Sequence, residues 1–540
     1  MTPIENEPNE EDEFSVTIEN GPHTSNYPVA RAKRKAAIAA AVKRARAISK
    51  RKRKKSLFHW HTIQHESKLL WDLAFPTTIL QLGLIWSSFI TASHVGRKLG
   101  PLYLGAFTLG SLTGNLFVAS LLQGIFSASD TLSPQAFGAG NERELGLLAM
   151  RGFVASMVIM IPLVTPLCFC LEKILTALHQ DPEAAQLAKE WFQIYSLGLP
   201  FYAITMMMWR FCSAQEVMFP QVMYTIATNA VLLPLFLQIS LGWFGFLGSA
   251  VAITAYSIVH SALLWLHLWY FHPHTPDSWP GLSKQTWREA LEWEPFWYFI
   301  QLGFGGMLCF SEWIYWELLV LMVGTMGVVP LSVQTISNMV VEVVCMLPIG
   351  VGIALSIRIG TILSVNVRRA KLLAAACLAC GTVVWGAISV LLYTQQEWIV
   401  GLFTSEEEVL EGCREIWWKV SFLHFNIGIY GIVMGIATGL GMQWTLGIAS
   451  FVALIVLGVP AAYYYALVEE GGLESIWTWM NPPYMTINVV ILIALRHTNW
   501  DAISAEIIDR EGADEENNNN SNDTDFAENS VPTEATTLLP

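Results

Sequence analysis

Charged residues are scarce through most of this chain, and their scarcity excludes an ordinary soluble protein. Residues 56–500 hold only 17 Lys or Arg and 26 Asp or Glu, although the 540-residue chain has a formal net charge of −13. An aqueous surface needs a larger share of charged residues than this. With 53% apolar residues and a mean hydropathy of +0.43, the chain has the composition of a protein that contacts lipid.

The sequence also lacks the motifs of enzymes and ATP-driven pumps. It has no phosphate-binding loop, no nucleophile elbow and no paired catalytic carboxylates. The eight cysteines are scattered, and Cys377 and Cys380 lie in a continuous apolar stretch without a second pair of metal ligands. We therefore expect no enzyme activity, no cofactor, no metal site and no nucleic-acid partner.

The charges that are present lie at the two ends. Residues 1–30 hold seven acids and no Lys or Arg, residues 31–55 hold thirteen Lys or Arg and no acid, and eleven acids against one Arg follow residue 500. Polar acidic ends with few aromatic residues are typical of disorder, which we expect for 1–30 and 498–540. The basic segment 31–66 either binds anionic lipid or only sets the topology, and both readings place it in the cytosol.

Twelve apolar stretches in the middle of the chain are long enough to cross a bilayer as helices, because a spanning helix needs about 20 apolar residues. They are centred near 70–94, 101–126, 148–175, 190–213, 221–243, 245–271, 296–325, 331–356, 371–395, 416–438, 444–466 and 474–496. The fold class predicted is therefore an all-α polytopic membrane protein.

The loop around 272–294 divides the spans into two sets of six, so we predict one six-helix lobe at 67–271 and another at 295–497. Eleven Lys or Arg residues fall on the side of the basic segment and six on the other. Cytosolic loops carry the excess of positive charge. Both termini are thus expected in the cytosol, and we expect the chain to act as a monomer.

An internal repeat relates the two sets of six. The stretches 124–140 and 350–366, about 226 residues apart, each follow the second helix of a set and share a pattern of small and polar residues. Repeats of this kind are typical of transporters that expose a central cavity to alternate sides of the membrane.

Three stretches carry a more specific resemblance. The segment around Asp130 and Gln135 (Ser-Ala-Ser-Asp-Thr-Leu-Ser-Pro-Gln-Ala-Phe-Gly-Ala-Gly) resembles the loop after the second helix of the multidrug and toxic compound extrusion (MATE) family. Pro348-Ile-Gly-Val-Gly-Ile-Ala-Leu-Ser-Ile-Arg358-Ile-Gly resembles the matching stretch of that family's second half. Ser311-Glu-Trp-Ile-Tyr-Trp-Glu317 resembles the seventh-helix motif of its eukaryotic members.

The resemblance covers about residues 70–496 and implies two pseudo-symmetric six-helix bundles that carry out antiport. It also implies that both Glu312 and Glu317 take part. The chain departs from the family pattern at several places: Met339 stands where some relatives have an acid on helix eight, and Asn426 is the nearest polar residue to an acid expected on helix ten. Glu342 lies one turn from Met339 and is the candidate substitute.

Glu312 is the candidate for the central site, because a charged carboxylate in the hydrocarbon region costs about 2.5–3.5 kcal/mol on insertion scales and is seldom present without a function. Aromatic faces next to it can hold a cation, and an apolar environment lets a carboxyl group exchange a proton. The structural alternative is a protonated Glu that only joins helices. The candidate proton- and substrate-binding residues are Glu312, Glu317, Glu342, Trp313, Tyr315, Trp316, Gln334 and Asn338.

A second group of candidates lies at the cytosolic ends of the predicted helices. Asp130 and Gln135 lie at a helix end. Helix capping is the ordinary explanation for such residues, and a role in gating is the functional alternative. Arg358 near the end of the eighth span either anchors a gate or extends to the membrane surface.

The extreme C-terminus holds the pattern of an acidic dileucine sorting signal, formed by Glu534, Leu538 and Leu539. This pattern predicts an adaptor protein as a partner. The expected location is a vacuolar or endosomal membrane, with the plasma membrane as the alternative.

The function predicted is secondary active export of small organic solutes, organic cations or xenobiotics and secondary metabolites, in exchange for protons, with sodium as the alternative ion. A flippase for lipid-linked headgroups would need cationic residues at the helix centres, where this chain has almost none. A membrane-embedded enzyme would need clustered catalytic residues at one depth.

Overall fold

The computed structural model describes residues 60–177 and 180–512. The chain divides into two units, Met1–Gln64 and His65–Pro540, and the helices of the second form the bundle. Within the described residues every regular element is a helix. The predictions for the segment 1–30, for most of 31–66 and for the sorting signal Glu534, Leu538 and Leu539 lie outside the described residues.

In the part of the chain that the structure describes, ten helices are long and apolar enough to cross a membrane. We number them with two further helices, α4 and α12, in chain order: α1 His65–Leu99, α2 Leu102–Ala139, α3 Glu144–Ala177, α4 Pro182–Ser196 with Leu199–Ala214, α5 Phe219–Phe244, α6 Leu247–Phe271, α7 Trp293–Gly324, α8 Val329–Leu363, α9 Val367–Thr394, α10 Glu407–Gly439, α11 Gln443–Val468 and α12 Gly472–His497.

The two helices outside the set of ten have physical reasons to differ. The helix α4 is interrupted at Leu197 and Gly198, and α12 carries Asn481 and Asn488 among its apolar residues. The twelve-helix fold predicted from the sequence is confirmed. We call α1–α6 the N-lobe and α7–α12 the C-lobe.

Each lobe has an apolar core of its own. Trp191, Phe126 and Phe192 are fully buried in the N-lobe core, whereas Trp417 and Trp477 are fully buried in the C-lobe core. Rows of small residues let two helices of the C-lobe approach closely: a Cβ atom on Gly435 of α10 would lie only 2.3 Å from the carbonyl oxygen of Gly352 on α8. Close approach of small residues is a common basis of helix packing in membranes.

The turns between helices repeat in the two lobes. Gly100 precedes α2 with a φ of 95°, and Gly327, which is 227 residues later, precedes α8 with a φ of 116°. Gly245 before α6 and Gly472 at the start of α12 also have positive φ and are also 227 residues apart. Glycine adopts positive φ without the strain that a Cβ atom causes, so the same turn geometry fixes both halves of the repeat.

The prediction of disorder from residue 498 is wrong for the first part of that segment. Residues 500–512 form a helix, which we call the tail helix, and Trp500 and Ile507 on one of its faces are 6% and 2% exposed. These side chains pack with apolar residues at the ends of α8 and α9. Their spacing of seven residues places them on one helical face, which an acidic composition alone does not indicate.

Candidate functional site

The helix α7 is broken next to Glu312, the residue predicted to form the central site. It consists of Trp293–Cys309 and Ser311–Gly324, separated by Phe310. Glu312 lies in the first turn of the second piece. Broken helices within the membrane are common at the binding sites of transporters, because the freed end of a half-helix interacts with charged groups. The positive end of the helix dipole lies at this N-terminus and favours a negative charge there.

Glu312 is held by phenols rather than by a basic residue. The hydroxyl group of Tyr484 on α12 donates a hydrogen bond of 2.5 Å to the Glu312 carboxylate, and it accepts one of 2.8 Å from the indole of Trp316. The hydroxyl of Tyr430 on α10 lies close to the same carboxyl group, and its ring meets that of Tyr484 edge-on at 5.6 Å. No Lys or Arg among the described residues pairs with Glu312. Donors to the carboxylate favour its charge, whereas apolar surroundings oppose it, so the group can pass between both forms.

The aromatic residues predicted around Glu312 are only partly brought together. Trp316 joins the hydrogen-bonded group. Tyr315 is fully buried in the C-lobe core and packs next to Gly458 of α11, and its hydroxyl has no hydrogen-bond partner within the described residues. Trp313 is 40% exposed. Tyr484 and Tyr430 were missed by the sequence analysis, although the Asn-Pro-Pro-Tyr484 sequence within a span is an unusual feature.

The other predicted binding residues form two separate groups on α7 and α8. Glu317 and Glu342 are partly buried and close enough to repel each other. Gln334 is fully buried, and its amide donates a hydrogen bond of 3.1 Å to Asn338. The remaining oxygen of Gln334 is buried without a partner in the described residues. Among the hydrogen bonds and ion pairs of the described residues, none joins these four side chains to Glu312.

The polar residue nearest to the expected acid of helix ten has a structural role. The Asn426 amide donates to Asn481 of α12 at 2.9 Å, and Asn488 donates to the Asn426 carbonyl oxygen at 3.0 Å. The Asn426 side chain is thus used to join α10 to α12.

The two repeats meet where α2 and α8 end, which we call the tail side of the bundle because the tail helix lies there. A Cβ atom on Gly138 would lie 2.1 Å from the carbonyl oxygen of Thr361, and one on Gly360 would lie 2.8 Å from the Cβ atom of Pro134. Pro134 and Gly360 occupy equivalent positions in the two repeats. Equivalent residues can touch only where they lie close to the pseudo-twofold axis.

Hydrogen bonds from α2 to α10 and α11 close the same region. Gln135 donates to the carbonyl oxygen of Gly439 at 3.0 Å, and Thr131 donates to the carbonyl oxygen of Thr438 at 2.5 Å. Gln443 at the start of α11 bonds to Thr131 in turn. The predicted gating residue Gln135 is therefore at the contact between the lobes.

Asp130 is held from within its own lobe. Arg210 of α4 pairs with it at 3.1 Å, bonds to Gln123 at 2.9 Å and lies 5.1 Å from the centre of the Phe126 ring. The backbone carbonyl of Asp130 accepts a hydrogen bond of 3.2 Å from Ser356 of the C-lobe. Asp130 thus fixes α2 against α4 and places its backbone at the lobe contact.

Arg358 joins the lobes through ion pairs. It lies 3.0 Å from Glu66 at the start of α1 and 2.9 Å from Glu216 between α4 and α5, and Arg369 of α9 also pairs with Glu66. The side chains of Arg358 and Glu66 are 9% and 5% exposed. The sequence analysis missed both acids, because each lies more than 140 residues from Arg358. These hydrogen bonds and ion pairs join the two lobes, and they all lie in the tail-side half of the bundle.

Comparison with known proteins identifies related sequences along most of the chain. The sequence model of a family described as MatE matches residues 76–239 and again residues 307–464. A Schizosaccharomyces pombe protein described as an uncharacterized transporter is 29% identical, over 82% of this chain and 82% of its own length. The Danio rerio protein "Multidrug and toxin extrusion protein 1" is 27% identical, over 82% of this chain and 74% of its own length.

Solved structures share the fold. The crystal structure of the eukaryotic MATE transporter AtDTX14 matches with a TM-score of 0.76 and 22% identity, over 83% of this chain and all of that chain. A mutant of the Vibrio cholerae MATE transporter VcmN matches with a TM-score of 0.72 and 16% identity, over 82% of this chain and 99% of that chain. These likenesses support the two-lobe arrangement.

Proposed function

The chain belongs to the MATE family of multi-pass membrane transporters, and from this premise we propose that it exports small organic solutes in exchange for protons. The Danio rerio relative, which is named for multidrug and toxin extrusion, supports organic cations, xenobiotics or secondary metabolites as the substrate class. Sodium is the alternative coupling ion.

One observation carries the proposal: Glu312 is a partly buried carboxyl group at a helix break, with phenol donors and without a basic partner in the described residues. A permanent Arg or Lys partner would hold the carboxylate in its charged form and prevent exchange. Phenols donate without neutralising the charge, so a proton or a cationic solute can compensate it in turn. Trp316 and the nearby tyrosines offer aromatic faces to a cation.

The proposed cycle uses the lobe contact as its gate. In this structure Arg358, Gln135 and the α2–α8 contact close the tail side. A proton that reaches Glu312 from the far side displaces the solute, and parting of the tail-side contacts then exposes the site for the next solute. Glu317 and Glu342, which lie close enough on α7 and α8 to repel each other, are proposed to lie along the proton's route.

We place the tail side in the cytosol, in agreement with the positive-inside rule, and the protein in a vacuolar, endosomal or plasma membrane. Epitope tags at the two termini check this orientation when antibody access is compared after permeabilisation of the plasma membrane alone and after permeabilisation of all membranes. Access with only the plasma membrane permeabilised supports a cytosolic location for both termini. Access in intact cells, or access that requires permeabilisation of every membrane, contradicts it.

Transport by the purified protein in liposomes tests the function. The substrates are a fluorescent dye cation, a flavonoid-like compound and an organic acid, each measured with a pH gradient, with a sodium gradient and with neither. We expect the pH gradient to drive the dye cation against its concentration gradient. Equilibration without accumulation is the behaviour of a channel and contradicts the proposal, whereas accumulation driven only by sodium replaces the proton as the coupling ion.

A further inference from the structure

The tail helix contacts both lobes, and this bridging position has a consequence for the transport cycle. On the C-lobe side, Ser504 donates a hydrogen bond of 2.9 Å to the carbonyl oxygen of Leu363 at the end of α8. Trp500 and Ile507 are buried against α8 and α9. Lys371 of α9 lies 3.4 Å from Asp501. The first two turns of the tail helix are therefore docked on the C-lobe.

The last turn of the same helix contacts the N-lobe. Arg510 donates a hydrogen bond of 3.1 Å to the side-chain oxygen of Gln135, the residue that also bonds α10 across the lobe contact. Asn141, in the turn between α2 and α3, donates one of 3.1 Å to Glu511. In addition to these N-lobe contacts, Arg510 lies over the ring of Tyr298, at the start of α7 in the C-lobe, at 5.7 Å.

The N-lobe contacts are shielded from water, which strengthens them. Glu511 is 5% exposed and Asn141 is 8% exposed. Burial opposes the charge of Arg510, but the neighbouring Glu511 and Tyr298 favour it more, and together they raise the pKa of Arg510. Hydrogen bonds to charged groups contribute more than those between neutral groups.

We propose that the tail helix is a latch that stabilises the state in which the tail side is closed. The inference rests on the proposed function only in that it requires the lobes to part at this side during transport. Because the apolar face docks on the C-lobe, parting of the lobes must break the bonds of Arg510 and Glu511 to the N-lobe. The latch therefore biases the equilibrium between the closed and open states without touching the substrate site.

Removal of the N-lobe contacts tests the latch by a measurement that needs no substrate and no proton gradient. One spin label is placed at Gln285, in the short helix Lys284–Ala290 that packs on α3, and the other at Val365, between α8 and α9. The exposed Cys170 and Cys380 are first replaced by serine. Electron–electron distance distributions in lipid nanodiscs then report the tail-side separation of the lobes.

We expect the double variant Arg510→Ala with Glu511→Ala to raise the ratio of long to short distances by about three- to tenfold. The matched control Asp501→Ala breaks a bond of the same helix to the C-lobe only, and it should leave the ratio unchanged. Ile507→Asp, which undocks the helix from the C-lobe, should raise the ratio as the double variant does, and it serves as a second route should the double variant fold poorly.

An unchanged distance distribution in both the double variant and Ile507→Asp overturns the latch, as does an equal shift in Asp501→Ala. The proposed transport function and the proposed latch can be refuted separately. If the variants show the distance shift but the protein shows no proton-driven export, the proposed function is contradicted and the latch proposal stands. A short thiol tether between Asn141→Cys and Glu511→Cys should abolish the long distances, and their persistence in the tethered protein would also overturn the proposal.

Discussion

The Ser356 hydroxyl donates a hydrogen bond of 3.2 Å to the backbone carbonyl of Asp130 across the lobe contact, and the two residues are equivalent members of the internal repeat, 226 positions apart. A residue that bonds to its own repeat equivalent lies next to the pseudo-twofold axis. The tail-side contact that we propose as the gate therefore lies on that axis, where a small change in the angle between the lobes makes or breaks many contacts together.

The closeness of the lobes at this axis predicts a steric effect. Gly138→Ala would place a Cβ atom 2.1 Å from the carbonyl oxygen of Thr361, so the lobes cannot close fully at the tail side. Overpacking of this kind costs about 1–3 kcal/mol, and we expect the initial rate of dye export to fall about tenfold. Gly386→Ala on α9, which has open space around it, should keep the wild-type rate. Equal rates in the two variants would contradict tight closure at Gly138.

The ion pairs of Arg358 predict strong coupling with Glu66. Loss of Arg358 leaves the buried Glu66 with Arg369 as its remaining cation, so the cost is smaller than the about 3–5 kcal/mol of a buried ion pair that loses its only partner. Arg358→Met should still lower the thermal stability of the protein in detergent much more than Lys371→Met, whose pair with Asp501 is exposed.

A double-mutant cycle with Glu66→Gln separates the pair from its surroundings. We expect the Arg358→Met and Glu66→Gln effects to be strongly non-additive in the midpoint of thermal unfolding. Simple addition of the two effects would show that Arg358 and Glu66 do not depend on each other.

Because the Tyr484 hydroxyl bonds to Glu312, we expect its removal to impair transport selectively. Tyr484→Phe removes the donor of the 2.5 Å hydrogen bond and keeps the ring in the core. A hydrogen bond to a charged group contributes about 1.5–3 kcal/mol, so we expect the maximal export rate to fall at least tenfold. Tyr463→Phe, at a 52% exposed position of α11, is the matched control. A wild-type rate for Tyr484→Phe would exclude a role of Tyr484 in positioning the carboxyl group.

The sequence alone predicts the helices well, because spanning segments are set by local composition. The predicted span 221–243 corresponds to α5 at Phe219–Phe244, and the predicted span 245–271 to α6 at Leu247–Phe271. The repeat and the seventh-helix motif were also sufficient to identify the family, which the match to MatE in both halves confirms.

Contacts between segments that are distant in the chain could not be predicted from the sequence alone. Tyr484 lies 172 residues from Glu312, and no local pattern relates two such positions. The tail helix was missed for a related reason: its charged residues suggest disorder, and its two buried residues, Trp500 and Ile507, are recognisable only once the ends of α8 and α9 are known to accept them.

The most direct test of the central claim is export of a dye cation from liposomes by the Glu312→Gln variant under an imposed pH gradient. Glutamine keeps the shape of the side chain but cannot exchange a proton, so we expect proton-driven accumulation to vanish while the protein remains folded. Glu469→Gln, in the exposed turn between α11 and α12, should accumulate the dye as the wild type does. Full retention of uphill transport by Glu312→Gln would contradict the account.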